Sequence, residues 1–314
     1  MAYRILALDG GGMRGLITVL MLERLQSEVP DLLPRIDLVA GTSTGGLIAL
    51  GIAAGLPLGG IRRLYEQEGP RIFADSPFDD LADLGRLVGA DYASSGLEAV
   101  LRELFGDRTL ADLKKRILLP TFDLDSGDDS RHGGPSSSRR RWKAKIMHNF
   151  PGIDSDGEVP AWRAGMRTSA APIYFPSSDG FIDGAVVAAN PAVCAVAQTQ
   201  DRRSFDMPPG LGEIRLLSLG CGEVAQFLPG ERHDWGVLQW GKPLVDIVMS
   251  GTVDVATYQC RSFLGERFWR LSPQLERQDR LQLDSHSPWA LQRMRQIAAR
   301  IPIEGAVSWL ERFW

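Results

Sequence analysis

A chain of 314 residues is long enough for one large α/β core or two modest domains, and nothing in it reads as a long linker, so one domain with insertions is expected. Its 35 basic and 39 acidic residues leave a net charge of -4, which excludes a global positive field for gathering nucleic acid polymers. Cys194, Cys221 and Cys260 are odd in number and widely spaced, which excludes a disulfide framework or zinc pattern and reads as reduced thiols of a cytoplasmic protein.

Tyr3 to Leu8 predicts a first strand ending at Asp9 and is too short an apolar run for a signal peptide. Gly10-Gly11-Gly12-Met13-Arg14-Gly15 follows, then Leu16 to Leu25 at helical spacing. Strand, glycine loop and helix N-terminus form a cradle for an anion, because the first turn of a helix has unpaired N–H groups. Gly10, Gly12 and Gly15 also fit the dinucleotide fingerprint, which needs an acidic residue at the end of the second strand to grip a ribose. Asp37 lies at the start of that strand, and its end opens into a serine turn. The loop is therefore read as a set of donors for a developing oxyanion, with a nucleotide-binding module as the alternative.

Ile36, Leu38 and Val39 predict that buried second strand, Gly41-Thr42-Ser43-Thr44-Gly45 a sharp turn, and the small apolar residues after it a helix. This is a nucleophile elbow, in which Ser43 is the candidate nucleophile and a helix cap is the plainer role. Positions 38 to 61 carry no charge and are long enough to cross a bilayer. Their seven glycines, Pro57 and Thr-Ser-Thr predict strand, turn and helix instead, so no membrane span is expected.

Residues 58 to 69 and 93 to 105 predict helices, and Lys115 to Leu124 a strand. Asp123, Asp125, Asp128 and Asp129 make an acidic corner without EF-hand spacing, and neither a metal nor another cofactor is expected. Gly133 to Ser138 reads as a mobile loop. From 130 to 145 come six cations (Arg131, Arg139, Arg140, Arg141, Lys143, Lys145) and no acid, a cluster that either docks on anionic head groups or is solvated beside acidic neighbours.

Residues 142 to 148 predict another strand, and Ala161 to Ala171 a helix stopped by Pro172. Phe181-Ile182-Asp183 is a short strand that delivers a carboxylate at its end; Asn190-Pro191 then opens a helix to about Gln198. Ile214 to Leu219 predicts the last central strand, and Lys242 to Trp314 reads as mostly helical. Ala290, Met294, Ile297 and Ile301 share one face near the end, before Trp309, Phe313 and Trp314, which predicts packing on the sheet in preference to a membrane interface.

With Asp-Gly-Gly-Gly-Met-Arg-Gly at 9 to 15, Gly-Thr-Ser-Thr-Gly at 41 to 45, Thr-Ser-Ala-Ala-Pro at 168 to 172 and Asp-Gly-Ala at 183 to 185, the chain resembles the patatin-like phospholipases from residue 3 to about 222. The resemblance implies a three-layer α/β/α sandwich with a mostly parallel sheet, here a catalytic domain over 1 to 240 and a helical C-terminal extension over 241 to 314 packed on it. It implies a dyad, with Ser43 as nucleophile, Asp183 as base, Gly10, Gly11 and Gly12 as the oxyanion loop and Arg14 supporting that loop. Ala185 stands where the family varies between glycine and alanine, and Ala189 replaces one asparagine of its Asn-Asn-Pro.

The implied reaction is hydrolysis of fatty acyl esters of membrane phospholipids through an acyl-enzyme, without a metal and with peripheral contact at the inner membrane. The same dyad also permits acyl transfer to an alcohol or thiol. Some bacterial members of the resembled family act in antiviral defence and are switched on by cyclic oligonucleotides; the helical tail after residue 240 fits such a member as it fits many housekeeping ones. A dyad requires none of His132, His148, His233 and His286, of which only His148, at a strand end, is placed for a base. An aspartate of ordinary pKa, about 3.9, is a weak base at neutral pH, so much of the rate is expected from the oxyanion loop.

Overall fold

The computed structural model describes residues 2–73, 90, 92–126, 140–224, 227–276, 279 and 281–314. Among the described residues, seven strands form one sheet: β1 (Tyr3–Leu8), β2 (Leu38–Gly41), β3 (Arg116–Asp123), β4 (Lys143–His148), β5 (Phe181–Asp183), β6 (Ile214–Leu219) and, beyond β7 (Glu223–Val224), β8 (Phe268–Leu271). Their order is β4-β3-β2-β1-β6-β8, with β5 also on β3. β4 and β5 run antiparallel to β3, and the other pairings are parallel. β7 pairs with β9 (Gln274–Leu275) in a small separate sheet.

Alternation along β1 shows why the strands are apolar throughout. Leu6 and Leu8 join the core under helices α1 (Gly15–Glu28) and α2 (Thr44–Ala54), with Leu16, Leu22 and Ile48. Ile5 and Ala7 face the opposite layer, with Ala192 and Val196 of the 192–199 helix and Cys260 and Leu264 of the long helix Val237–Leu264. A sheet covered on both faces buries every side chain, so its strands read as continuous hydrophobic runs. The result is the three-layer α/β/α sandwich.

Ile214–Leu219 is flanked on both sides, and one further strand joins the sheet beyond it from the stretch read as mostly helical: Phe268–Leu271 pairs beside it in parallel. As an edge strand with only Phe268 fully buried, it needs no apolar run, and Glu266, Arg267 and Arg270 mask it in the sequence. The predicted helix at 58–69 is an α-helix over Leu58–Arg63 followed by a π turn over Leu64–Glu68, which carries Tyr65 to the start of α2. The tail packs inward. Met294 and Ala298 of the Pro288–Arg300 helix are buried, and Arg24 of α1 donates to the Ala298 and Ile301 carbonyls at 2.6 and 2.7 Å. The Trp309 indole donates to Glu266 O at 2.7 Å and that of Trp314 to Leu32 O at 3.0 Å.

Of the charged stretch, Asp128, Asp129, Arg131, Arg139 and the loop 133–138 lie outside the described residues. Arg140 pairs with Asp125, and Lys145 with Asp156 at 2.8 Å. Among the described residues no helix is long and apolar enough to cross a membrane.

The feature that positions the site is a head-on meeting on one edge of β3. β4 occupies one edge from Leu118 to Asp123. On the other, β2 pairs parallel with Arg116 to Leu118, and β5 pairs antiparallel with Thr121 to Asp123. The two strands run toward each other, so the turn after Gly41 and the carboxylate of Asp183 arrive at one gap. Replacing Trp309 by alanine removes a buried indole from the tail and is expected to cost about 3–5 kcal/mol. Urea denaturation checks this, and an unchanged midpoint would show the tail to be dispensable.

Candidate active site

Ser43 sits at φ 55°, ψ -125°, a conformation rare for a residue with a side chain. The surroundings hold it there. The Thr168 hydroxyl accepts from Ser43 N at 3.1 Å and donates to Pro120 O at 2.6 Å, while the Thr42 hydroxyl donates to Ala188 O at 2.6 Å. The turn closes only without side chains beside it. A Cβ on Gly41 would lie 2.1 Å from Gly45 O, and one on Gly45 2.3 Å from Leu8 O. The 168–172 motif thus acts on the elbow through Thr168, a role its sequence did not disclose.

Asp183 is 2% exposed, at the gap that β5 opens onto. Its Oδ1 accepts from Ala185 N at 2.8 Å, and the Ser43 side chain lies beside the same carboxyl. Burial pushes its pKa up from 3.8 to about 6, and the neighbouring Ser43 hydroxyl and Ala185 N–H oppose that rise. The expectation of an aspartate of ordinary pKa is therefore corrected. A carboxylate near 6 is a better base at neutral pH than a solvated one.

The glycine loop divides its tasks. Gly10 N donates to Ala189 O at 2.9 Å, Met13 N to Leu283 O at 2.7 Å and Arg14 N to Gly11 O at 3.2 Å. The Gly10 amide, expected among the oxyanion donors, is thus engaged by Ala189. Gly11 and Gly12 make no amide hydrogen bond among the described residues, and both line the cavity that holds Ser43 and Asp183. Gly12 has φ +58°, and a Cβ there would lie 2.1 Å from Leu283 O, so only glycine fits. Arg14 ties the loop down, with Nε 3.4 Å from Gly11 O and Nη1 3.3 Å from Gly222 O.

Behind the loop lies a group that sequence reasoning missed. Arg270 of β8 is buried and donates to Asp9 Oδ2 at 2.7 Å, Ser218 Oγ at 2.9 Å and Glu223 Oε1 at 3.0 Å. It fixes the residue at which β1 becomes the glycine loop. No local pattern marks it, since a lone arginine in Phe-Trp-Arg-Leu reads as solvated.

The cavity measures about 350 Å³, and beyond its polar groups its walls include Ile61, Leu64, Phe73, Leu97, Leu101 and Phe175. Among the described residues no histidine lines it. His148 is buried against Phe150, 3.7 Å from Asp154, and burial lowers its pKa. It is not placed to serve Ser43. His132 lies outside the described residues.

The arrangement thus brings a strained serine, a buried carboxylate and two unengaged amides to one apolar cavity, which equips it for acyl transfer from an ester. The family described as patatin-like phospholipase matches residues 6–196, and the chain belongs to it. A cGAMP-activated phospholipase of Pseudomonas aeruginosa is 30% identical over 275 residues, covering 86% of this chain and 78% of its own. One of the same description from Vibrio cholerae is 28% identical over 278 residues, covering 80% and 75%. The crystal structure of VipD from Legionella pneumophila aligns over 99% of this chain and 67% of its own, at 11% identity and a TM-score of 0.44.

A buried carboxyl whose folded pKa is raised favours the protonated fold. Its contribution to stability is complete below 3.8 and is lost as pH rises to about 6. Above that, the buried charge costs about 3 kcal/mol. Asp183→Asn is therefore expected to stabilise the fold by about 1–3 kcal/mol at pH 7.5, with the gain shrinking toward pH 4. Urea denaturation at both pH values measures it, and a pH-independent difference would contradict the assigned pKa.

Proposed function

We propose that this protein is a lipid acyl hydrolase of phospholipase A type, acting on membrane phospholipids with Ser43 as nucleophile and Asp183 as base. The observation that carries this reading is Ser43 at positive φ, beside a carboxyl raised to about 6, on an apolar cavity. Ser43 Oγ attacks the acyl carbonyl carbon while Asp183 takes its proton. The Gly11 and Gly12 N–H groups receive the oxyanion. Asp183 then returns the proton to the departing alcohol, and the acyl group remains on Ser43. Water, deprotonated by the same carboxylate, releases the fatty acid.

Each part supplies a share of the rate. A positioned base contributes about 10²- to 10⁴-fold and one oxyanion donor about 10²- to 10³-fold. Gly10 supplies space, because a Cβ there would press on Ser43 Cβ at 3.3 Å. The apolar walls suit an acyl chain, and no metal enters any step of this scheme.

The relatives named as cGAMP-activated phospholipases support a second layer of the reading. The activity is latent, a cyclic dinucleotide switches it on as part of antiviral defence, and the active protein meets the inner membrane from the cytoplasm. The test is to incubate pure protein with mixed bacterial phospholipids, with and without cGAMP, and identify released fatty acids by mass spectrometry. Wild type with cGAMP is expected to release them, Ser43→Ala to release none, and Asp183→Ala to lose about 10²- to 10⁴-fold. Full activity in either folded variant removes the dyad, and equal activity without cGAMP removes the switch.

A further inference from the structure

A second cavity of about 760 Å³ adjoins the first, and the two share Tyr174, Asp246, Met249, Gln282 and Leu283. Its character differs. Among the described residues, Asp9, Glu223, Asp246, Asp254, Glu276 and Asp279 line it, against the single guanidinium of Arg14. Arg270 compensates Asp9 and Glu223, and Arg293 lies 2.6 Å from Asp279. Asp246 and Asp254 are in no ion pair among the described residues. Asp9 is 4% exposed, and its Oδ1 has no partner among the described residues. A buried acceptor without a partner beside a roomy polar cavity is a site prepared for a donor.

An ester cut at Ser43 extends in two directions. Its acyl chain matches the apolar cavity, and the alcohol side must then lie beyond the shared walls. We infer that the second cavity receives the polar head group of the phospholipid, and that Asp246 and Asp254 select one ending in an ammonium over an anionic one. This rests on the acyl hydrolase reading and goes beyond it by fixing the substrate class. An ammonium gains from either carboxylate without displacing an existing partner, whereas a head group of net negative charge is repelled by both. By the same charge argument the cavity is unsuited to an anionic cyclic dinucleotide, so an activator of that kind binds elsewhere.

The experiment compares phosphatidylethanolamine and phosphatidylglycerol of identical acyl chains in mixed micelles, with cGAMP in every arm and a p-nitrophenyl ester lacking a head group alongside. Wild type is expected to prefer phosphatidylethanolamine in kcat/KM by about five-fold or more, equivalent to about 1 kcal/mol. The double variant Asp246→Asn, Asp254→Asn brings the ratio close to one, Asp246→Glu retains it, and Glu311→Gln, which lines neither cavity, leaves it unaltered. Equal rates on both lipids in wild type, or a preference that survives the double variant, overturn the inference and leave the hydrolase reading standing. A wild type that cleaves none of the three esters overturns both.

Discussion

A serine at φ 55° cannot be held by its own turn. Such a conformation costs on the order of 1–3 kcal/mol and persists only where neighbours over-determine it. Here the neighbours come from four places in the sequence. Gly41 and Gly45 allow main chain to approach main chain, Leu8 O accepts from Thr42 N at 3.2 Å, and Thr168 bridges Ser43 N to Pro120 O. Every other feature of the site is arranged about that fixed hydroxyl.

The opposed strands β2 and β5 are what would let two groups suffice in the proposed mechanism. Because both lie on one edge of β3 and run toward each other, Asp183 reaches the serine directly, without an intervening imidazole. The same burial that gives the carboxylate its basicity destabilises its charged form. Function and stability therefore oppose each other at this residue. Behind it, the Arg270 pair with Asp9 anchors the loop that presents the Gly11 and Gly12 amides. A buried pair of this kind contributes little net stability, but losing one partner strands a charge, which gives it value as a fixed point.

Much of the architecture is legible in the sequence because its signals are local. The run Tyr3–Leu8, the glycine loop and the Gly-Thr-Ser-Thr-Gly turn each declare strand, loop and helix within a dozen residues. The amphipathic face of Ala290 and Met294 likewise announces inward packing. Asp183 is legible as a strand-end carboxylate, but its pairing with Ser43 entered through family resemblance, since 140 positions separate them. Non-local features stayed hidden. The raised pKa of Asp183 depends on elements remote in the chain, the engagement of Gly10 by Ala189 on a turn far downstream, and the β8 strand on an edge position that demands no apolar run.

The most direct measurement is covalent labelling of the native protein, with cGAMP present, by a fluorophosphonate, with the modified residue identified by peptide mass spectrometry and the rate followed against pH. A serine deprotonated by a buried carboxylate should be labelled at Ser43 alone, at a rate that rises with pH through an inflection near 6 and collapses in the Asp183→Asn variant. Labelling at another residue, or a Ser43 rate indifferent to both pH and Asp183, would contradict the account.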